Sequence, residues 1–225
     1  QGVLDLGLSS SNGKAIHLVT TDSISDLSAY GIGVANNGGG TDGQEYTFPS
    51  ISVSAGTSIL LARSSSHMAT YFDSCYSSFD LVLLASGAIS QNGDDAIELF
   101  HLSVVIETFG DINADGTGTA WEYDDSWAYK DASGSVSFSG GSWIIGGKDC
   151  SYGTTTYASS CPYPVCPGPR GCTDALASNY DSTAIFDNGS CTYPLNITVS
   201  VCDTSVSSLR LTGPWWSWDP VGGAV

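Results

Sequence analysis

Asp94-Asp95-Ala96-Ile97-Glu98-Leu99-Phe100 turns near Leu102-Ser103 and returns as Val104-Val105-Ile106-Glu107-Thr108-Phe109. Both arms are short, rich in β-branched and aromatic residues, and alternate in character, which predicts an antiparallel hairpin with one buried face. Asn92-Gly93 before it and Gly110-Asp111 after it are turn dipeptides, because Gly and Asn take up positive φ at little cost. Lys14-Ala15-Ile16-His17-Leu18-Val19 repeats the Ala-Ile-x-Leu order of 96–99, so the two segments read as similar strands of one sandwich.

Working outward, further strands are expected over 29–34, 45–48, 58–62, 80–85, 135–138 and 142–145, with Gly, Asn and Ser between them. That spacing fits a two-layer β-sandwich over residues 1–149. Gly, Ser and Thr are abundant and Met occurs once in the 225 residues. No long stretch repeats every 3.6 residues without interruption, so the fold class is all-β with little helix. Asn36-Asn37-Gly38-Gly39-Gly40-Thr41-Asp42-Gly43 reads as a long flexible loop; no Lys or helix start follows it to make a phosphate cradle.

Six basic against 23 acidic residues give a formal charge of −17. Such a field repels phosphate backbones and anionic lipid, and attracts divalent cations. Nucleic acid is therefore excluded as an expected partner, and no apolar run approaches the ~20 residues of a bilayer span. The chain opens on Gln1, as a mature protein does after signal-peptide removal, so an extracellular, secreted or cell-surface location is expected. Seven cysteines agree with an oxidising compartment. Zinc is the rival explanation, but no CxxC pair occurs and His17, His67 and His101 lie far in sequence from the Cys150, Cys161, Cys166 group. The pairing of Cys75, Cys150, Cys161, Cys166 and Cys202 stays open. The odd count leaves at least one thiol free or paired outside the chain.

The order of motifs suggests a family. Ala-Ile-x-Leu, then Asp26-Leu27-Ser28-x-Tyr30, Tyr46-Thr47-Phe48-Pro49, Val53-Ser54-Ala55-Gly56-Thr57 before Ile59-Leu60-Leu61-Ala62, and Gly93 to Leu99 with Val105 to Gly110, resembles the lamin-tail type of immunoglobulin-like sandwich over about 12–130. The resemblance implies an accessory module of a secreted bacterial protein. His17 stands where that family often has Glu.

Residues 150–170 read as a Cys/Pro-rich linker. The stretch 171–193, Gly171-Cys172-Thr173-Asp174 through Ser190-Cys191-Thr192-Tyr193, is similar to a short repeat, GCxDxxAxNYxxxAxxDxGSCxY, of large surface proteins of marine and gliding bacteria. A stretch this short cannot build a core, so a Cys172–Cys191 disulfide is expected to staple it. After Pro194, Ile197, Val199 and Val201 alternate with polar residues as one half-buried strand over 195–202. Ser208 to Pro220, with Leu211-Thr212-Gly213-Pro214 and Trp218-Asp219-Pro220, resembles the opening strands of immunoglobulin-like starch-binding modules. Residues 194–225 thus read as a partial β domain, which must be completed by further chain, by the preceding domain or by another molecule.

Candidate ligands for calcium fall in two groups. Asp111, Asn113, Asp115 and Glu122 satisfy the EF-hand spacing of alternate oxygens and a distal carboxylate. Their flanks do not, since a strand precedes and Gly116-Thr117-Gly118-Thr119 opens no helix; a calcium loop on a β scaffold and a solvated turn both fit. Asp174, Asn179, Asp181 and Asp187 are the second group, with a turn and a capping Asn as the plainer reading. Asn188 and Asn196 head glycosylation sequons. Trp121, Trp127 and Tyr129 are either an aromatic platform or core.

No nucleophile elbow and no histidine in a motif context occurs, so no enzyme is expected. Two functions fit. The first is an extracellular structural or adhesive glycoprotein whose copies join head to tail, or join a neighbouring surface protein, through terminal strand pairing into a fibril. The second is a calcium-dependent carbohydrate-binding accessory module, with Trp215, Trp216 and Trp218 stacking on sugar rings.

Overall fold

The computed structural model describes residues 1–130, 138, 143–165, 170–184, 186–187 and 190–193. Two sheets face each other. The larger is built from β1 (Gly2–Asp5), β2 (Lys14–Val19), β5 (Ser58–Ala62), β6 (Leu81–Leu84), β9 (Ser126–Lys130) and β10 (Trp143–Ile145), in the order β10-β9-β1-β2-β5-β6. The smaller contains β3 (Tyr30–Ala35), β4 (Tyr46–Thr47), β7 (Ala96–His101) and β8 (Val104–Phe109), in the order β4-β3-β7-β8. The chain is an all-β sandwich followed by a small disulfide-stapled module.

The expected hairpin is β7–β8. Its register runs from His101 opposite Val104 to Ile97 opposite Phe109, with one irregularity at Leu99/Phe100. Leu102 and Ser103 close it, both at positive φ (50° and 65°), the geometry that matches the twist of a two-residue hairpin. Lys14–Val19 and Ala96–His101, the two similar segments, lie in opposite sheets. Alternation then fills the space between the sheets: Val3, Ile16, Ile59 and Leu61 from the larger meet Ile32, Val34, Ile97 and Phe109 from the smaller.

The larger sheet is buried on its other face too. Leu4, Ala15, Leu60 and Ala62 point outward into a second apolar cluster with Met68, Tyr71, Phe72, Phe79, Trp127 and Tyr163. This explains the uninterrupted Ile59-Leu60-Leu61-Ala62, since a strand covered on both sides needs no polar alternation. Part of the cover is α1 (Ser65–Phe72), which joins the parallel pair β5 and β6. Ser64 caps it by accepting from the His67 N–H, and Met68, Tyr71 and Phe72 make its buried stripe.

The other part is the expected linker. Cys150 and Cys161 form a disulfide, Tyr71 donates its hydroxyl to the Ser151 carbonyl at 2.8 Å, Trp127 Nε1 donates to the Cys161 carbonyl at 2.8 Å, and Tyr163 is fully buried. Over its described part, 150–165, the segment is therefore a strap packed on the sandwich and not a spacer.

The loop expected to be flexible is also packed. Gly40 N–H donates to the Ile112 carbonyl at 2.8 Å, and Asn37 N–H donates to Asp95 Oδ1 at 2.8 Å. Thr41 Oγ1 donates to Glu98 Oε2 at 2.5 Å. The segment that follows covers the outer side of β3, and a glycine lets it: a Cβ at Gly33 would sit 2.1 Å from the Gly43 carbonyl oxygen and 3.0 Å from the Phe100 ring. Of the expected strand 135–138 only Phe138 is among the described residues, edge-on to Phe109 at 5.3 Å.

Candidate functional site

Glu122 sits at the last position of the EF-hand-like spacing, and its carboxylate is already engaged. Oε2 accepts the Gly118 N–H at 2.8 Å and Oε1 accepts from Lys148 Nζ at 2.9 Å. Lys148 also donates to Asp124 Oδ2 at 2.7 Å. The Lys148 bond, followed by that of Gly118, holds the Glu122 carboxyl below the usual range, while Asp124 and Glu122 hold the Lys148 ammonium above its own. At the other end of the loop, Asp111 Oδ1 accepts the Asn113 N–H at 2.9 Å and Asp115 Oδ1 accepts the Thr117 N–H at 3.0 Å. These are local turns in which each carboxylate satisfies backbone two residues on. Among the described residues, no three His, Cys, Asp or Glu side chains converge as a metal shell requires.

The module carries the expected Cys172–Cys191 disulfide, with Cα atoms 4.7 Å apart. Its polar residues act as braces. Asn179 donates Nδ2 to the Ser190 carbonyl at 2.7 Å and accepts the Thr192 N–H on Oδ1 at 2.8 Å, so one amide ties the two ends of the module together. Asp174 accepts the Tyr193 hydroxyl at 2.7 Å and the Leu176 N–H at 2.9 Å, which lower its pKa in that order. Asp181 Oδ1 accepts both Oγ1 and N–H of Thr183 at 2.7 and 2.9 Å. Asp187 lies in β12 (Phe186–Asp187), which pairs in parallel with β11 (Arg170–Gly171). Asn188, Asn196, Trp215, Trp216 and Trp218 lie outside the described residues, as does the expected strand 195–202.

His17 is core. It is 1% exposed, with Nδ1 3.1 Å from the Tyr163 hydroxyl and Nε2 3.0 Å from Ser58 Oγ. Burial pushes its pKa down to about 3, so the ring is neutral and serves to join the strap to β2 and β5. Trp121 and Trp127 are buried as well, at 8% and 5% exposure, which answers the question of a platform in favour of packing. Cys75 is disulfide-bonded.

What the surface does present is β8. It forms one end of the smaller sheet, and Val104, Val105 and Ile106 are 63%, 38% and 42% exposed. An open groove runs beside it, with Val105, Ile106, Ile112 and Phe138 among its walls. Sequence reading identified this strand but gave no reason to separate its two edges; that it pairs on one side only among the described residues is a property of the tertiary arrangement. No helix among the described residues is long and apolar enough to cross a membrane. Comparison of the chain with protein-family models, curated proteins and solved structures finds no match.

Proposed function

We propose that the chain is a non-enzymatic structural or adhesive protein acting outside the cell, whose copies join head to tail into a filament by pairing of a terminal strand, 195–202. One observation carries this reading. After Pro194 the sequence Leu195 to Cys202 alternates the apolar Ile197, Val199 and Val201 with polar residues and carries no charge, the pattern of a strand with one apolar face. An isolated strand of that pattern is a pairing template and not a stable unit. The Cys150–Cys161 and Cys172–Cys191 disulfides support an oxidising location.

Deleting 194–225 tests the proposal. The shortened chain is expected to keep the melting transition of the sandwich and to remain monomeric by sedimentation and negative-stain microscopy, while the intact chain forms filaments. Filaments from the shortened chain, or an intact chain that stays monomeric at every concentration tried, would overturn it.

A further inference from the structure

We infer that the acceptor for strand 195–202 is the outer edge of β8 in a second copy of the chain, a reading that rests on the assembly proposed above. Four strands end the two sheets among the described residues: β4, β6, β8 and β10. β4 has two residues with Pro49 just beyond it, β10 has three, and β6 has four. β8 has six. Native proteins blunt an open edge by shortening it, by placing Lys or Pro on it or by bulging it; β8 carries no Lys or Pro, and its one bulged residue is Ile106. Its one charge, Glu107, is paired with Lys130 at 2.6 Å.

The ladder it offers is regular on either side of one bulged residue. The irregularity beside Leu99/Phe100 leaves Ile106 as an extra residue on β8, while Glu107, Thr108 and Phe109 keep one-to-one partners on β7. Every second N–H and C=O of such a strand turns away from its neighbour and accepts a new strand. Val105, Ile106, Ile112 and Phe138 then offer the alternating Ile197, Val199 and Val201 apolar contacts in a mixed groove that Glu107, Thr108 and Asp111 also line.

Charge selects the occupant. Asp203, Arg210 and Asp219 are the charged residues of 194–225, a net of −1, which leaves −16 of the chain's −17 to residues 1–193. Two sandwiches repel each other face to face, whereas 195–202 contains no charged residue and approaches without that penalty.

Two kinds of full-chain variant test the assignment: Val105→Lys or Val104→Lys on the edge, and Val199→Lys on the strand. Val104 is mostly exposed, so at least that edge variant is expected to melt as the intact chain does. Each is expected to be monomeric alone, because each loses one half of the contact. An equimolar mixture of an edge variant and the strand variant is expected to give a one-to-one dimer that grows no further, since the first still donates and the second still accepts. Separate monomers in that mixture would overturn the assignment. Normally folded edge variants that polymerise while Val199→Lys stays monomeric would overturn the β8 edge and leave the terminal-strand reading standing. Polymerisation of Val199→Lys would remove that reading itself.

Discussion

Replacing Asp5 by Asn should make the protein's stability less sensitive to pH, in a direction opposite to that expected of a simple ion pair. Asp5 and Lys14 face each other across β1 and β2, both buried, with Nζ 3.0 Å from Oδ1. A cation at that distance ordinarily lowers a carboxyl pKa. Here burial acts more strongly than Lys14, with Asp125 and Asp124 adding to it, and the pKa rises from 3.8 to about 6. The folded state therefore favours the neutral acid. Its contribution to stability is present in full below the unfolded pKa near 3.8 and is lost as pH rises through about 6. Two units at 1.36 kcal/mol each come to about 3 kcal/mol.

Other carboxyls change stability at lower pH, within reach of the same experiment. Asp26, Asp115, Glu122, Asp174 and Asp181 are held low by hydrogen bonds and change stability with the opposite sign. The informative quantity is thus the difference between Asp5→Asn and the parent, from urea unfolding at a series of pH values. Asn resembles the neutral acid, so the two chains should differ little at about pH 3 and the variant should gain about 3 kcal/mol relative to the parent by about pH 7. A difference that stays flat would show that Asp5 is not desolvated. One that moves against the variant would show that the attraction of Lys14 outweighs burial.

Gly33→Ala should cost roughly 1–3 kcal/mol and release the covering loop, because the new methyl meets the Gly43 carbonyl; hydrogen exchange at Asn37 and Gly40 would report the release, and unchanged protection would refute it. Removing the Cys150–Cys161 bridge by a double Cys→Ser change should cost about 3 kcal/mol for a loop of 11 residues; calorimetry showing no shift would mean that Tyr163 packing and the Tyr71 and Trp127 hydrogen bonds fix the strap without the bridge. Lys148→Gln frees Glu122 and Asp124 from their shared cation, so calcium should raise the melting temperature of this variant more than that of the parent. Equal responses would show that Lys148 does not compete for the site.

Much of the sandwich was legible because its alternation is local. The two arms of the β7–β8 hairpin could be read from alternation, and Ser58–Ala62 instead from a short apolar run bounded by turn residues. The missed strands fail for a physical reason: Gly2–Asp5 is four residues with no alternating polar partner, and Ser126–Lys130 sets Trp127 and Tyr129 toward the outer cluster and Ala128 toward the inner one, so neither face reads as solvent. α1 was invisible because eight residues give barely two turns of periodicity. The strap and the glycine-rich loop were misread for a shared reason. Their polar, turn-forming composition describes how the backbone bends, while their burial depends on Tyr163 finding His17 and on Gly33 admitting Gly43, contacts between residues far apart in sequence. The ligand spacing of 111–122 shows the converse: the oxygens stand at the right intervals in sequence, and only the fold reveals Lys148, 26 residues beyond Glu122, as a partner of the distal carboxylate.

The same charge distribution that selects an uncharged strand for the contact predicts how assembly responds to salt. Each sandwich-bearing part carries −16, so two copies approach against a repulsive field before any backbone pairing forms. Raising ionic strength from about 0.01 to about 0.15 M shortens the screening length from about 30 to about 8 Å. Pairing through N–H and C=O groups and the apolar Ile197, Val199 and Val201 gains nothing from low salt, so the association rate should rise steeply over that range while dissociation changes little. Light scattering after a salt jump measures the first and dilution of formed filaments the second. Association that slows with added salt would place attractive ion pairs at the contact, and a strand lacking charge over 195–202 could not supply them.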